Sequence, residues 1–205
     1  MPGRLTKSTS SLILILFLSF TILLLLPERI SLSVAAGQKI AGEKEGHLSS
    51  LQGCSVTLLK NREYFPALLA AVDNAQKEIL VSFFLFKTNG HPHSAPEIIM
   101  RHLIRAVDRG IKVVVVLERG KDSSDIDAQN QDTMVKLKKG GVEVYLDSPK
   151  STTHTKLVVI DRRYTFVGSH NLTHSALKYN NELSVLIDAA PVAEEAASYI
   201  KTLYP

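Results

Sequence analysis

Residues 79–86 (ILVSFFLF) and 111–117 (IKVVVVL) are near-continuous apolar runs, separated by a stretch of helical character. Successive side chains of a strand point to opposite faces, so a strand apolar at consecutive positions must be covered on both. That requirement calls for a sheet with helices on each side. The remaining segments supply the parts. Residues 55–59 read as a short strand, and 61–75 carry Phe65, Leu68, Leu69 and Val72 at the helical period. Ser94-Ala95-Pro96-Glu97 has the form of a capping box with proline in the first turn, opening a helix that ends before Gly110. A polar loop after residue 117 leads to a helix closed by Gly140-Gly141, then a strand over 142–146. A hairpin comes next, with strands at 156–160 and 164–167 around the turn 161–163; residues 183–187 form a last strand and 191–203 an amphipathic helix. Alternation of strands and helices predicts an α/β/α sandwich with a mixed, largely parallel sheet.

The first 36 residues read differently. Arg4 and Lys7 precede an apolar run over 12–26 that is broken only by Ser19 and Thr21, and Val34-Ala35-Ala36 places small residues before Gly37. This is the layout of a signal peptide, or of an uncleaved N-terminal anchor in which residues 12–26 attach the chain to a membrane. Either form exports the rest of the chain. Residues 37–53 form a polar linker and 54–205 the functional domain. The single cysteine, Cys54, excludes an internal disulfide. The whole chain carries +4 from 24 Lys+Arg and 20 Asp+Glu. Beyond residue 36 the balance is 21 against 19, or +2, too weak to argue for nucleic acid by itself.

Chemistry concentrates in one stretch. His154-Thr155-Lys156 is followed by four apolar residues and Asp161, and after six intervening residues by Gly168-Ser169-His170-Asn171. Side chains two apart on a strand share a face, so His154 and Lys156 project together while Asp161, of opposite parity, lies at the turn. Lysine supplies charge, Ser169 and Asn171 supply neutral donors, and Gly168 permits close backbone approach. The ligand that suits such a clamp is a phosphate.

The spacing His154-x-Lys156-x4-Asp161-x6-Gly168-Ser169-x-Asn171 resembles the HKD motif of the phospholipase D superfamily. The likeness extends over roughly residues 54–190, taking in Leu117-Glu118-Arg119-Gly120 and Asn181-Glu182. One motif in a short chain resembles the single-motif branch, which includes exported bacterial endonucleases and a mitochondrial cardiolipin hydrolase. The resemblance implies a phosphodiester hydrolase acting on nucleic acid or phospholipid. His154 would attack phosphorus, and Glu182 would accept from its other ring nitrogen. Lys156 and Asn171 would hold the nonbridging oxygens with Ser169 in support. Asp161 belongs to the motif, though its parity argues for a scaffold role. The second histidine that the mechanism needs would come from a homodimer sharing one active site, since an isologous contact brings identical residues together. No metal or other cofactor is called for, because Lys156, Ser169 and Asn171 stand where a two-metal nuclease has its ions. A non-catalytic member of the fold that binds phosphate or nucleic acid is the alternative.

Other signals have plainer readings. His91-Pro92-His93 is a loop pair with no carboxylate or cysteine close by in sequence, and His170 and His174 lack the glutamate of a zinc-protease helix. His170 is expected to line the pocket. Phe83, Phe84 and Phe86 are expected in the core, and Lys136, Lys138 and Lys139 on a solvated helix face.

Overall fold

A computed structural model describes residues 53–120 and 125–205. The expected signal or anchor segment lies outside the described residues. Among the described residues seven strands form one sheet: β1 (Ser55–Lys60), β2 (Glu78–Phe83), β3 (Lys112–Leu117), β4 (Glu143–Leu146), β5 (Lys156–Ile160), β6 (Tyr164–Gly168) and β7 (Leu183–Asp188). Among the same residues five helices accompany them: α1 (Tyr64–Asn74), α2 (Ala95–Asp108), α3 (Asp125–Lys139), α4 (His174–Lys178) and α5 (Ala190–Lys201), with a 3-10 turn at Asn61–Glu63. The spatial order is β1-β7-β6-β5-β2-β3-β4.

The sheet is mixed, but the expectation that it is largely parallel is corrected. Only β2–β3 and β3–β4 pair in parallel; β1–β7, β7–β6, β6–β5 and β5–β2 are antiparallel. Helical crossovers of parallel type serve only the first half of the domain. From β5 onward the tight turn at 161–163 reverses the chain, and the connection from β6 to β7 returns it to the neighbouring strand.

One core lies between the sheet and helices α1 to α3, built on Leu68, Ile79, Val81, Phe83, Leu103, Val115 and Phe166. The other is smaller: α5 sets Ala193, Ala197 and Ile200 against Leu80, Val114, Val116 and Val159. Residues of β2 and β3 therefore divide between two cores at alternate positions, which is why both strands are apolar throughout. The first run stops being a strand at Phe83, and Phe86 makes only an isolated bridge to Leu172.

The start of α2 also departs from expectation. Ser94 makes no side-chain cap; its hydroxyl donates to Asn89 Oδ1 at 2.9 Å, and Glu97 Oε1 accepts from the Gly90 amide at 2.5 Å. The Ala95 amide instead donates to His174 Nδ1 at 3.2 Å. A remote imidazole has taken the place of the local cap, satisfying one of the orphan donors of the first turn.

Strand direction gathers the candidate chemistry. The C-terminal ends of β2, β3 and β4, the N-terminal ends of β5 and β7, and the C-terminal ends of β6 and β1 all meet at one end of the sheet. His154, Lys156, Ser169 and Glu182 all fall there.

Candidate active site

Lys156 is the first residue of β5, paired in register with Phe83, and only 8% exposed. Its Nζ lies 3.2 Å from His154 Nδ1, donates to the His154 carbonyl at 2.9 Å, and sits 5.0 Å from the Phe84 ring centroid. Burial lowers the Lys156 pKa, opposed by the negative charge of Glu182, which raises it. His154 itself is exposed, its ring 4.6 Å from that of Phe84. His154 lies two residues before β5 rather than on it, and its imidazole still meets the Lys156 ammonium.

The backbone entering this pair is tied down from behind. At the ends of β3 and β4, Glu118 and Asp147 are both 3% exposed. The Thr153 amide donates to Glu118 Oε2 at 2.5 Å, and the Thr153 hydroxyl donates to Asp147 Oδ2. Thr155 Oγ1 meets Ser82 Oγ at 2.6 Å. The residues either side of His154 are thus held by buried polar groups, which limits the positions its ring can take.

Ser169 and Glu182 face each other across the β6–β7 ends. The Ser169 hydroxyl donates to Glu182 Oε2 and accepts from the Leu183 amide at 3.0 Å. Asn180 Nδ2 donates to Glu182 Oε1 at 3.0 Å. The expected hydrogen bond from His154 to Glu182 is not formed in the single chain, because serine and asparagine occupy the carboxylate and Lys156 faces Nδ1. Asn171 is half-buried, and its Oδ1 has no hydrogen-bond partner among the described residues. Gly168 does permit a close approach, but by protein. A Cβ there would run into Ser184 Cα and the Leu183 carbonyl oxygen.

Asp161 lies apart from the reacting groups, as its parity argued, while the expectation for His170 is corrected. Asp161 sits at the far end of β5, five residues from Lys156, roughly 17 Å at the rise of a strand. It is left-handed at φ 53°, and its carboxylate accepts from the amides of Gln76, Lys77 and Glu78 at 2.8, 2.7 and 3.1 Å. Asp161 therefore splices the hairpin turn to the start of β2 and touches no reacting group. His170 does not line the pocket: it is fully buried, stacked 4.4 Å from the Tyr64 ring. Nδ1 meets Ser184 Oγ at 2.7 Å and Nε2 meets the Asn61 carbonyl at 2.8 Å, so both ring nitrogens are occupied. Burial lowers its pKa, which keeps the ring neutral, with Nε2 donating to the carbonyl.

Phe84 is the site residue that sequence reasoning missed. Phe83 and Phe86 are core as expected, fully buried, whereas Phe84 is half-buried against His154 and Lys156. Phe84 lies just past the end of β2, where strand parity no longer applies, and no sequence signal set it apart from Phe83 and Phe86. Among the described residues no three His, Cys, Asp or Glu side chains converge as a metal set. His91 and His93 face each other 5.8 Å apart in their loop.

Fold and site together define an α/β domain that sets an exposed histidine, a buried lysine and hydroxyl and amide donors at one sheet end. Residues 68–204 match the family described as cardiolipin synthase, PLD-like domain. Among curated relatives, cardiolipin synthase A of Buchnera aphidicola subsp. Baizongia pistaciae is 26% identical over 60% of this chain and 23% of its own. Phospholipase D of Rickettsia prowazekii is 31% identical over 50% of this chain and 46% of its own. The chain spans less than half the length of either. Of solved structures, the phospholipase D family member Nuc from Salmonella typhimurium superposes with a TM-score of 0.62 at 24% identity, covering 73% of this chain and 93% of that one. NucT from Helicobacter pylori gives 0.59 at 20% identity, over 73% and 95%. These two show the fold. The chain belongs to the phospholipase D superfamily, as a phospholipase D-like domain.

Proposed function

We propose that the protein is a metal-independent phosphodiester hydrolase that works through a phosphohistidine at His154, exported by its N-terminal segment, with two chains sharing one site. The observation that carries this is the pairing of exposed His154 with buried Lys156, 3.2 Å apart, beside the Ser169–Glu182 contact. With Lys156 donating to Nδ1, the ring proton stands on Nε2, the nitrogen directed away from the lysine. A phosphate arriving at Lys156 draws the ammonium onto its oxygens and frees Nδ1, which takes a proton from solvent as Nε2 gives its own to solvent, His154 being exposed. Nε2 then attacks: the N–P bond forms, the bond from phosphorus to the leaving oxygen breaks, and that oxygen takes a proton from an acid on the opposite side. Water next attacks phosphorus, giving its proton to that same group, and the N–P bond breaks. Lys156, Ser169 and Asn171 stabilise the charge that builds on the nonbridging oxygens.

Attacking and leaving oxygens lie in line on opposite sides of phosphorus, so one histidine cannot serve both. His170 is walled in and does not serve as that acid; in this proposal the role falls to the partner's His154. An uncovered apolar sheet face supports a second copy. The α5 helix covers β2, β3 and β5 and reaches the near side of β6, while Val56, Leu58, Val167 and Leu183 of β1, β6 and β7 stay 60, 51, 38 and 52% exposed. Val167 and Leu183 directly adjoin Gly168 and Glu182.

The test is turnover of bis(p-nitrophenyl) phosphate by purified protein. His154→Ala should lower the rate by at least about a thousandfold, with its melting temperature unchanged because His154 is exposed. A denaturing quench at alkaline pH should trap a base-stable, acid-labile phosphoryl group on the wild-type chain, and EDTA should leave the rate intact. Wild-type protein that binds phosphate diesters without turning them over would establish the alternative, a phosphate-binding member of the fold.

A further inference from the structure

We infer that the cleft between the end of β1 and the end of α4 is a subsite for a single nucleic-acid strand, holding phosphates that flank the bond cleaved at His154. The inference rests on the phosphodiesterase reading above and names its substrate class. The cleft encloses about 530 Å³ and is lined by Lys60, Arg62, Glu63, Lys178, Tyr179 and Asn180. Its wall is continuous with the site, because Asn180 Nδ2 holds Glu182 Oε1. Asn61, left-handed at φ 51°, joins the two: its amide donates to the Glu182 carbonyl at 2.9 Å and its Oδ1 accepts from the Glu182 amide at 2.8 Å.

Three cations meet here, and among the described residues none is ion-paired. Arg62 Nε donates to the Lys178 carbonyl at 3.1 Å, a neutral partner that leaves the guanidinium charge in place. Lys178 Nζ lies 4.4 Å from the Phe65 ring centroid, a contact that places the charge without neutralising it. The one acid of the lining, Glu63, accepts from the Lys60 amide at 2.9 Å. Neighbouring cations left unneutralised repel one another, and a polyanion relieves that repulsion.

The spacing favours a polymer. Lys156 on β5 and Lys60 at the end of β1 are three strands apart, roughly 14 Å at the usual separation. A lone phosphodiester at Lys156 would not reach the cleft, whereas a strand carrying successive phosphates crosses both. Tyr179, 72% exposed with its ring edge-on to His174 at 5.6 Å, offers a flat face on which a base stacks. The cleft wall is polar apart from that ring, which gives acyl chains of a lipid nothing to bury against.

Binding is measured with full-length His154→Ala protein, so that substrate is not consumed, by fluorescence anisotropy of a labelled 12-nucleotide single-stranded oligonucleotide. Adding Arg62→Gln and Lys178→Gln should weaken binding at least tenfold at low salt. Their loss should also flatten the slope of log affinity against log salt by about 1.4, at about 0.7 per phosphate contact. Tyr179→Ala, too exposed to disturb folding, should weaken binding by about tenfold with little change in slope. The control pair Lys138→Gln/Lys139→Gln removes the same charge from the exposed end of α3 and should leave affinity near wild type. Losses no larger than the control's would overturn the subsite, as would absence of oligonucleotide binding. Unaltered oligonucleotide binding with loss of binding to vesicles of one part phosphatidylglycerol to three of phosphatidylcholine would assign the cleft to membranes instead. These readouts need no turnover, so a wild-type protein that fails to hydrolyse any diester sinks the catalytic reading separately.

Discussion

Lys156 carries opposing demands: it must be charged to hold a phosphate, yet it is buried beside an imidazole. Burial lowers its pKa more than Glu182 restores it. The ammonium of the free protein is therefore lost at a lower pH than that of an ordinary lysine, near 10.4. The alkaline limb of kcat/KM, which reports the free protein, should accordingly fall below that value. Lys156→Arg keeps its charge at every accessible pH, so its residual activity should lose that limb. An alkaline limb unchanged by the substitution would assign it to another group. Asp161 makes the opposite case of a motif residue whose work is structural. Asp161→Ala removes an acceptor from three amides and should destabilise the fold by about 2 kcal/mol, seen as a melting temperature lower by roughly 4–8 °C. Activity per folded molecule should stay within twofold of wild type at 20 °C. A tenfold fall there with unchanged melting would restore Asp161 to the chemistry.

Among the elements, the β6–β7 pairing does most to shape the site. Gly168 pairs with Ser184 in register, and Ser184 in turn holds His170 Nδ1. A methyl group at 168 meets backbone on the facing strand, which cannot swing aside as a side-chain tip can. Gly168→Ala should therefore part the strand ends, destabilise the protein by about 3 kcal/mol and move Ser169 from Glu182. Denaturant unfolding followed by near-UV circular dichroism checks this. A variant as stable as wild type would mean that the ladder yields locally. The β5–β6 turn is likewise fixed by its partners: Asp161 and Arg162 both take positive φ, and Arg162 is held by Glu78 and Glu194 at 2.5 and 2.6 Å.

At the scale of the molecule, the exposed face of β1, β7 and β6 separates a one-chain from a two-chain site. Val56→Lys/Leu58→Lys places two charges on that face, well away from the motif. If a second copy covers it, sedimentation should show a monomer where wild type is a dimer, and specific activity should fall at least tenfold. Equal activity from a variant that sediments as a monomer would refute the shared site. Mixing inactive His154→Ala with inactive Lys156→Ala protein should restore little activity, because no mixed site holds a full complement of groups.

Strand periodicity and spacing made much of this legible. Apolar continuity at 79–86 and 111–117 called for a sheet buried on both sides, and two-residue spacing alone put His154 beside Lys156 and Asp161 away from them. These are local consequences of strand geometry, which a sequence carries in full. Which strand lies beside which is decided by long-range pairing, and periodicity is silent on that. Hence the antiparallel second half of the sheet, the displacement of Ser94 by His174 at the start of α2, and the burial of His170 between Ser184 and Asn61 emerged only from the tertiary structure. Hence too the capture of Glu182 by Ser169 and Asn180, which residue types alone did not foretell. A polar side chain takes whichever partner the packed chain brings within hydrogen-bond reach, and that partner is set by the fold.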